Sequence, residues 1–227
     1  MNIEEHSRHP DISIDRHIKS CIFGLGRALV GGHAVYLDVR YWLLLRNALL
    51  ASDGASPGGQ LLALLRNAVK SGKVFCPISE AVFLELLKQS DPSSRLRTAG
   101  LIDELSLGVS LLSQRERVAT ELAHFFYSTT RNAEDLHPLR YLVWTKLPYV
   151  LGLLHPTETA FDGATELAVQ KAFFDKMWTI DLAKMVDMLG TTPLPFESRL
   201  GDIADKLNAG NIEHAAELKS FQQGFDQ

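Results

Sequence analysis

The chain has 227 residues, enough for one large domain or a medium domain with an appendage. With 46% hydrophobic and 22% charged residues its composition is that of a globular protein, which excludes a disordered chain. A formal net charge of −4 excludes a general attraction to nucleic acid, so any phosphate binding has to be local or carried by a metal ion.

Two cysteines, Cys21 and Cys76, lie too far apart in sequence to make a disulfide framework or a zinc spacing. They point to a reducing compartment, and Cys76, inside an apolar run, reads as a buried thiol behaving as a small hydrophobe. The longest apolar runs fall well short of the roughly 18 residues a membrane span requires. The acidic N-terminus and Arg27 argue against a secretory signal. The expectation is a cytoplasmic protein with no membrane partner.

Residues 1–32 are polar, then briefly apolar, and close on Gly31-Gly32; they predict a loosely attached leader with one short helix. His33–Asp38 is apolar, β-branched and aromatic, and is the first expected strand. A helix is predicted over Tyr41–Ala51, buried on most sides. The stretch SDGASPGG is the clearest loop, and the helix LLALLRNAVK follows it and closes at Gly72. VFCPI, residues 74–78, is the second expected strand, with Pro77 near its end. Ser79 caps a helix over Glu80–Gln89, and Asp91-Pro92 opens another running to about Ser106. Gly108–Leu112 is the third expected strand. Ser113 then caps a helix over Gln114–Tyr127, with Val118, Leu122, Phe125 and Phe126 at helical spacing.

Beyond Ser128 no strand signal is visible. His137–Leu154 is helical in pattern but interrupted by Pro138 and Pro148. Thr159–Gly190 reads as one long helix or two in series, with Phe173, Phe174 and Trp178 as core. Two last helices are expected over Leu200–Leu207 and Asn211–Phe225, the latter amphipathic through Ile212, Ala215, Leu218, Phe221 and Phe225. The order of strands and helices up to residue 127 is that of a parallel sheet with helices on both faces. The carboxyl ends of such strands gather loops and helix starts, so ligands bind there. Asp38 and Glu85 are expected near that edge.

VYLDVRYW resembles the opening strand of PIN domains, where an aspartate at the strand end precedes an apolar helix. PISEAVFLEL resembles their second block, a strand ending in Ile-Ser with a glutamate on the next helix; Ile78, Ser79 and Glu85 fall on those positions. LIDELSLGVSLLSQRERVATELAHF is similar to the helix, short strand and helix that follow. The resemblance covers roughly Val35 to Phe126. It implies an α/β, PIN-like parallel sheet flanked by helices at 33–127, with a mostly helical C-terminal extension over 128–227. It further implies metal-dependent hydrolysis of single-stranded or structured RNA. The catalytic and metal-binding residues would be Asp38 and Glu85, around Mg²⁺ or Mn²⁺, which take oxygen ligands. Glu121, Asp175 or Asp181 are candidate third ligands; no motif specifies one. Position 40, often asparagine in the family, is Arg40, and the family's late acid-bearing block is not recognisable, as in a truncated or degenerate member. Arg40, Lys73, Lys88 and Arg95 are candidate phosphate contacts.

Each of these residues also has a structural explanation. Asp38 fits the N-cap of the next helix, and Glu85 fits an ordinary surface pair with Lys88. Glu80 is favoured at a helix N-terminus whatever the function. Two alternatives to the nuclease therefore stay open. One is an inactive PIN-like protein-interaction module, for example a homodimer paired through Asn211–Phe225. The other is an all-α interaction protein whose buried helices mimic strands. Eight histidines without His-x-x-x-His spacing, and no glycine-rich loop after a strand, argue against zinc and nucleotide sites.

Overall fold

The computed structural model describes residues 3–52, 54–130, 136–152, 156–157 and 159–190. The expected helices at 200–207 and 211–225 lie outside them. The chain divides into a unit Met1–Asp187, described below, and a unit Met188–Gln227.

Local capping sets most helix starts. Ser13 accepts from Arg16 N to open α2 (Ile14–Ala28), which follows the short α1 (Ile3–Ser7). Asp38 caps α3 (Val39–Ala51), and Ser56, accepting from Gly59 N, caps α4 (Pro57–Lys70) with Pro57 in its first turn. Ser79 opens α5 (Glu80–Leu87) and Asp91 opens α6 (Pro92–Ser106). Ser113 caps the start of α7 (Gln114–Thr130), its Oγ accepting from Glu116 N at 3.3 Å and donating to Glu116 Oε2 at 2.8 Å. Asp162 caps α9 (Gly163–Trp178), which follows a single 3₁₀ turn (Leu139–Tyr141) and the four-residue α8 (Leu147–Val150). The last described helix is α10 (Leu182–Gly190).

The strands are short. β1 (His33–Ala34) pairs in parallel with β2 (Val74–Phe75), and Val35 N continues the ladder to Phe75 O at 2.9 Å. A single parallel bridge, Ile78 to Ser110, ties the end of the second extended segment to β3 (Ser110–Leu111). β3 pairs antiparallel with β4 (Trp144–Thr145). The protein is thus mostly helical with a small parallel sheet, an α/β arrangement in the coarse sense expected. β4 corrects the expectation that no strand follows residue 128. Two residues carry too little periodicity to be seen in sequence, and only β3 gives them a partner.

The core gathers α3, α4, α5 and α6 about the β2 segment. Trp42, Leu45, Phe83, Leu86, Ile102 and Leu105 are almost wholly buried, and Trp42 Nε1 donates to Leu37 O at 3.1 Å. Cys76 is fully buried, as its apolar run indicated. Phe174 is core but Phe173 faces solvent, so only part of that aromatic stripe is internal.

The N-terminal residues are helical and docked, where a loosely attached leader with one short helix was expected. α1 packs on α9, and so does α2. The buried Lys171 of α9 donates from Nζ to His9 O at 2.7 Å and Ile12 O at 3.0 Å. Boundaries at 32 and 127 therefore do not separate compact units: residues 1–187 cluster together.

Two glycines of α2 give opposite expectations. Gly26 is pressed against the backbone of Tyr141, and a Cβ there would overlap the Tyr141 carbonyl, whereas one at the exposed Gly24 would meet nothing. Gly26→Ala is expected to lower stability by about 1–3 kcal/mol through overpacking. Gly24→Ala is expected to raise it by about 0.5–1 kcal/mol through helix propensity. Urea midpoints of the two variants test this; a common sign would show that the Tyr141 contact yields.

Candidate functional site at the strand ends

The segments that follow β1, β2 and β3 come out on the same edge. A cleft of about 450 Å³ opens there, lined by Tyr36, Ser79, Glu80, Leu112, Ser113 and Arg117 among others. Its position follows from the pairing: Tyr36 lies two residues past β1, Ser79 one past the bridging Ile78, and Ser113 two past β3. Tyr36 OH and Ser79 Oγ lie 2.8 Å apart in a hydrogen bond. The first turns of α5 and α7 both border the cleft, bringing the positive ends of two helix dipoles to it. Arg117, half-buried in the first turn of α7, has no carboxylate partner among the described residues. One guanidinium and two helix starts bring positive charge to the cleft, opposed by Glu80 and by Glu116, whose carboxylate bonds the lining Ser113.

The residues lining this cleft do not include Asp38, Glu85 or Glu121. Asp38 is exposed and caps α3, its Oδ1 accepting from Val39 N at 2.7 Å. Glu85 is exposed in the second turn of α5 and forms no ion pair among the described residues, so the pairing with Lys88 is absent. α3 and α5 pack against each other. Glu121 is exposed in the middle of α7. Asp38, Glu85 and Glu121 do not bring three ligand atoms within 4.8 Å of one another. As a three-carboxylate cage the set does not fit an ion. Mg²⁺ is nevertheless often held by one or two carboxylates together with waters and substrate phosphate. Of the basic residues singled out in sequence, Arg40, Lys73 and Lys88 are exposed, while Arg95 is spent on Leu87 O at 3.2 Å. Arg117 was not singled out; its place one turn after the Ser113 cap is the only local sign of it.

A second cleft, of about 440 Å³, is bordered by Asp103, Lys146 and Asp181. Burial raises the pKa of Asp103 and lowers that of Lys146. Both groups are engaged in structure: Asp103 accepts from Leu182 N and Ala183 N at 2.8 Å each, capping α10, and Lys146 donates to Leu107 O at 2.9 Å. Asp181 Oδ1 accepts from Lys184 N at 2.7 Å in the same helix start. Burial perturbs both groups, and the bonds to Leu182, Ala183 and Leu107 give them structural roles.

Asp175 sits elsewhere, between two imidazoles. Its Oδ2 lies 2.6 Å from His6 Nε2 and its Oδ1 2.7 Å from His17 Nε2. Among the described residues this is the one group of three or more histidine, cysteine or acidic side chains with ligand atoms mutually within 4.8 Å. No local spacing marks it in sequence, because the residues are up to 169 positions apart. The nearest signal is His17 and Cys21, four apart on one face of α2.

No family model, curated protein or solved structure matches this chain. Among the described residues no helix is long and apolar enough to cross a membrane.

Both thiols are held protonated. Burial pushes Cys76 up to about 11, and burial together with the Asp175 carboxylate pushes Cys21 up to about 11. Against the ordinary value of 9.0 this lowers the thiolate fraction at pH 8 by about a hundredfold. Iodoacetamide labelling of the native protein at pH 8 is therefore expected to be at least tenfold slower than in urea at both positions, read by peptide mass spectrometry. Labelling of Cys21 at the unfolded rate would contradict its burial against α9.

Proposed function

We propose that this protein is a PIN-like, metal-dependent ribonuclease that binds the RNA backbone in the strand-end cleft. The observation that carries the reading is the cleft itself. It lies where open α/β sheets bind their ligands, and it combines an unpaired guanidinium with two helix N-termini. Arg117 would take a phosphate through its planar fork of donors, and the free N–H groups of α5 and α7 would complete the anion's shell. The Tyr36 and Ser79 hydroxyls offer contacts to sugar or base edges. Asp38 and Glu85 would hold Mg²⁺ or Mn²⁺, which supplies neutralisation of the phosphoryl oxygens and activation of a water. Binding and chemistry would then be divided between separate side chains, Arg117 for the phosphate and the two carboxylates for the ion. A metal-borne positive charge also reconciles an RNA substrate with a net charge of −4.

With Mn²⁺ and a single-stranded RNA, Asp38→Asn and Glu85→Gln are each expected to reduce cleavage at least about a hundredfold with unchanged circular dichroism. Arg117→Glu is expected to act mainly on KM. Wild-type cleavage in both carboxylate variants, or no cleavage by the wild type, ends this assignment.

A second reading, a non-catalytic module that self-associates, is favoured by α7. Val118, Leu122, Phe125 and Phe126 are between 47% and 60% exposed, although their spacing is that of a buried face. Such a stripe is the kind of surface that pairs with a second copy of the same helix. Sedimentation velocity is expected to show a concentration-dependent dimer that the double variant Phe125→Asp, Phe126→Ser converts to monomer. A wild type that stays monomeric at 100-fold different loading concentrations rejects the pairing.

A further inference from the structure

α1, α2 and α9 bring together donors that the strand-end cleft does not use. Asp175 faces two imidazoles at once, one on each oxygen, at 2.6 and 2.7 Å. The two rings meet edge to face with centroids 5.0 Å apart, and His17 also lies edge to face with the buried Phe174 at 5.8 Å. The imidazoles are largely sheltered, with side-chain exposures of 14% and 18%, while Asp175 is 41% exposed and leaves a way in from solvent. A solvated face does not account for this arrangement, since the three side chains come from separate helices and aim at one point.

The chemistry of the set is selective. Two imidazole nitrogens and one carboxylate oxygen are poor company for Mg²⁺ or Ca²⁺, which prefer oxygen throughout. They suit a borderline first-row ion such as Zn²⁺, which three such ligands commonly hold with one position open. Ligands about 2.0–2.2 Å from a tetrahedral ion stand roughly 3.3–3.5 Å apart. The hydrogen-bonded distances seen here, 2.6 and 2.7 Å, are shorter by roughly 0.6–0.9 Å, so an ion enters by a spreading of the two rings as it replaces the shared protons. Cys21 Sγ lies 4.0 Å from His17 Nε2 but outside the group of mutually close ligand atoms. The thiol is a neighbour of the set and not a member of it.

Lys171 helps to preform the site in the folded chain. One turn before Asp175, it fixes the chain between α1 and α2 through the carbonyls of His9 and Ile12. The imidazoles are thereby held in place before any ion arrives, which reduces the ordering cost of binding.

We propose that His6, His17 and Asp175 form a binding site for a Zn²⁺-class divalent ion that clasps the N-terminal helices to α9. The site shares no residue with the cleft, and it stands whether or not the protein cleaves RNA.

The 227-residue chain, stripped with chelator and desalted, is titrated with Zn²⁺ and, separately, Co²⁺. One Zn²⁺ per chain is expected to survive gel filtration, read by elemental analysis. Co²⁺ is expected to give visible absorption of four- or five-coordinate strength. Affinity is expected to fall at least tenfold in His17→Ala and in Asp175→Asn, and to stay within a few-fold of wild type in Cys21→Ser. The wild type supplies a reading that needs no variant. In long-range ¹H–¹⁵N spectra Zn²⁺ is expected to move the Nε2 resonances of His6 and His17 and to leave His33 and His124 in place. Substoichiometric Zn²⁺ in the wild type, or unmoved His6 and His17 resonances at one equivalent, overturns the site and leaves a hydrogen-bonded clasp. Unchanged affinity in a folded Asp175→Asn does the same.

Discussion

The parallel pairing of His33 with Val74 and Ala34 with Phe75 is the constraint on which the cleft depends. Register in a β pair has a period of two, so a slip by one residue would turn every following side chain to the opposite face. With this register, and with the bridge from Ile78 to Ser110, the chain leaves three extended segments on one edge. Tyr36, Ser79 and Ser113 then border a single cavity although 77 positions of sequence separate the first from the last. Two-residue strands supply few ladder bonds, and an isolated pair of that length is not stable in water. The helices hold it: Trp42, Phe83, Leu86, Ile102 and Leu105 form the packed mass against which the extended segments lie.

That division of labour shapes the candidate chemistry. Helix starts, not strands, present the polar groups, because each extended segment runs directly into a capped helix. Ser79 illustrates this: its Oγ accepts from Val82 N at 3.4 Å to cap α5 and also bonds the Tyr36 hydroxyl across the cleft. Asp38 is in a similar position, its carboxylate half engaged in opening α3. A residue that caps a helix is oriented by doing so, and the same orientation makes it available to a ligand. Capping and function are therefore not exclusive explanations for Asp38. They share one geometry.

α9 organises the N-terminal helices of the unit. Lys171 and Asp175, one turn apart, take backbone carbonyls and imidazoles respectively from the first 17 residues. A buried ammonium is costly unless its donors are used, and here two carbonyl oxygens accept from it. The N-terminal segment is thus an integral layer of the fold, held by polar contacts specific in direction, with Gly26 allowing α2 to approach the Tyr141 backbone closely.

What could be read from the sequence alone was local. Caps at Ser79, Asp91 and Ser113, the helix span from Pro92 to Ser106, the C-terminal turn at Gly72 with its positive φ of 69°, and the starts of β1 and β2, though not the full strands expected over 33–38 and 74–78, all follow from residues within a few positions of one another. Tertiary structure decided everything that depends on partners distant in the chain. β4 exists because β3 lies beside it, and α7 bears an exposed apolar stripe because no element of the described unit buries it. Asp175, in sequence a candidate carboxylate for the strand edge, instead meets His6 and His17. Propensity and periodicity act through neighbouring residues. Convergence of side chains 158 and 169 positions apart is set by packing, which no local pattern encodes.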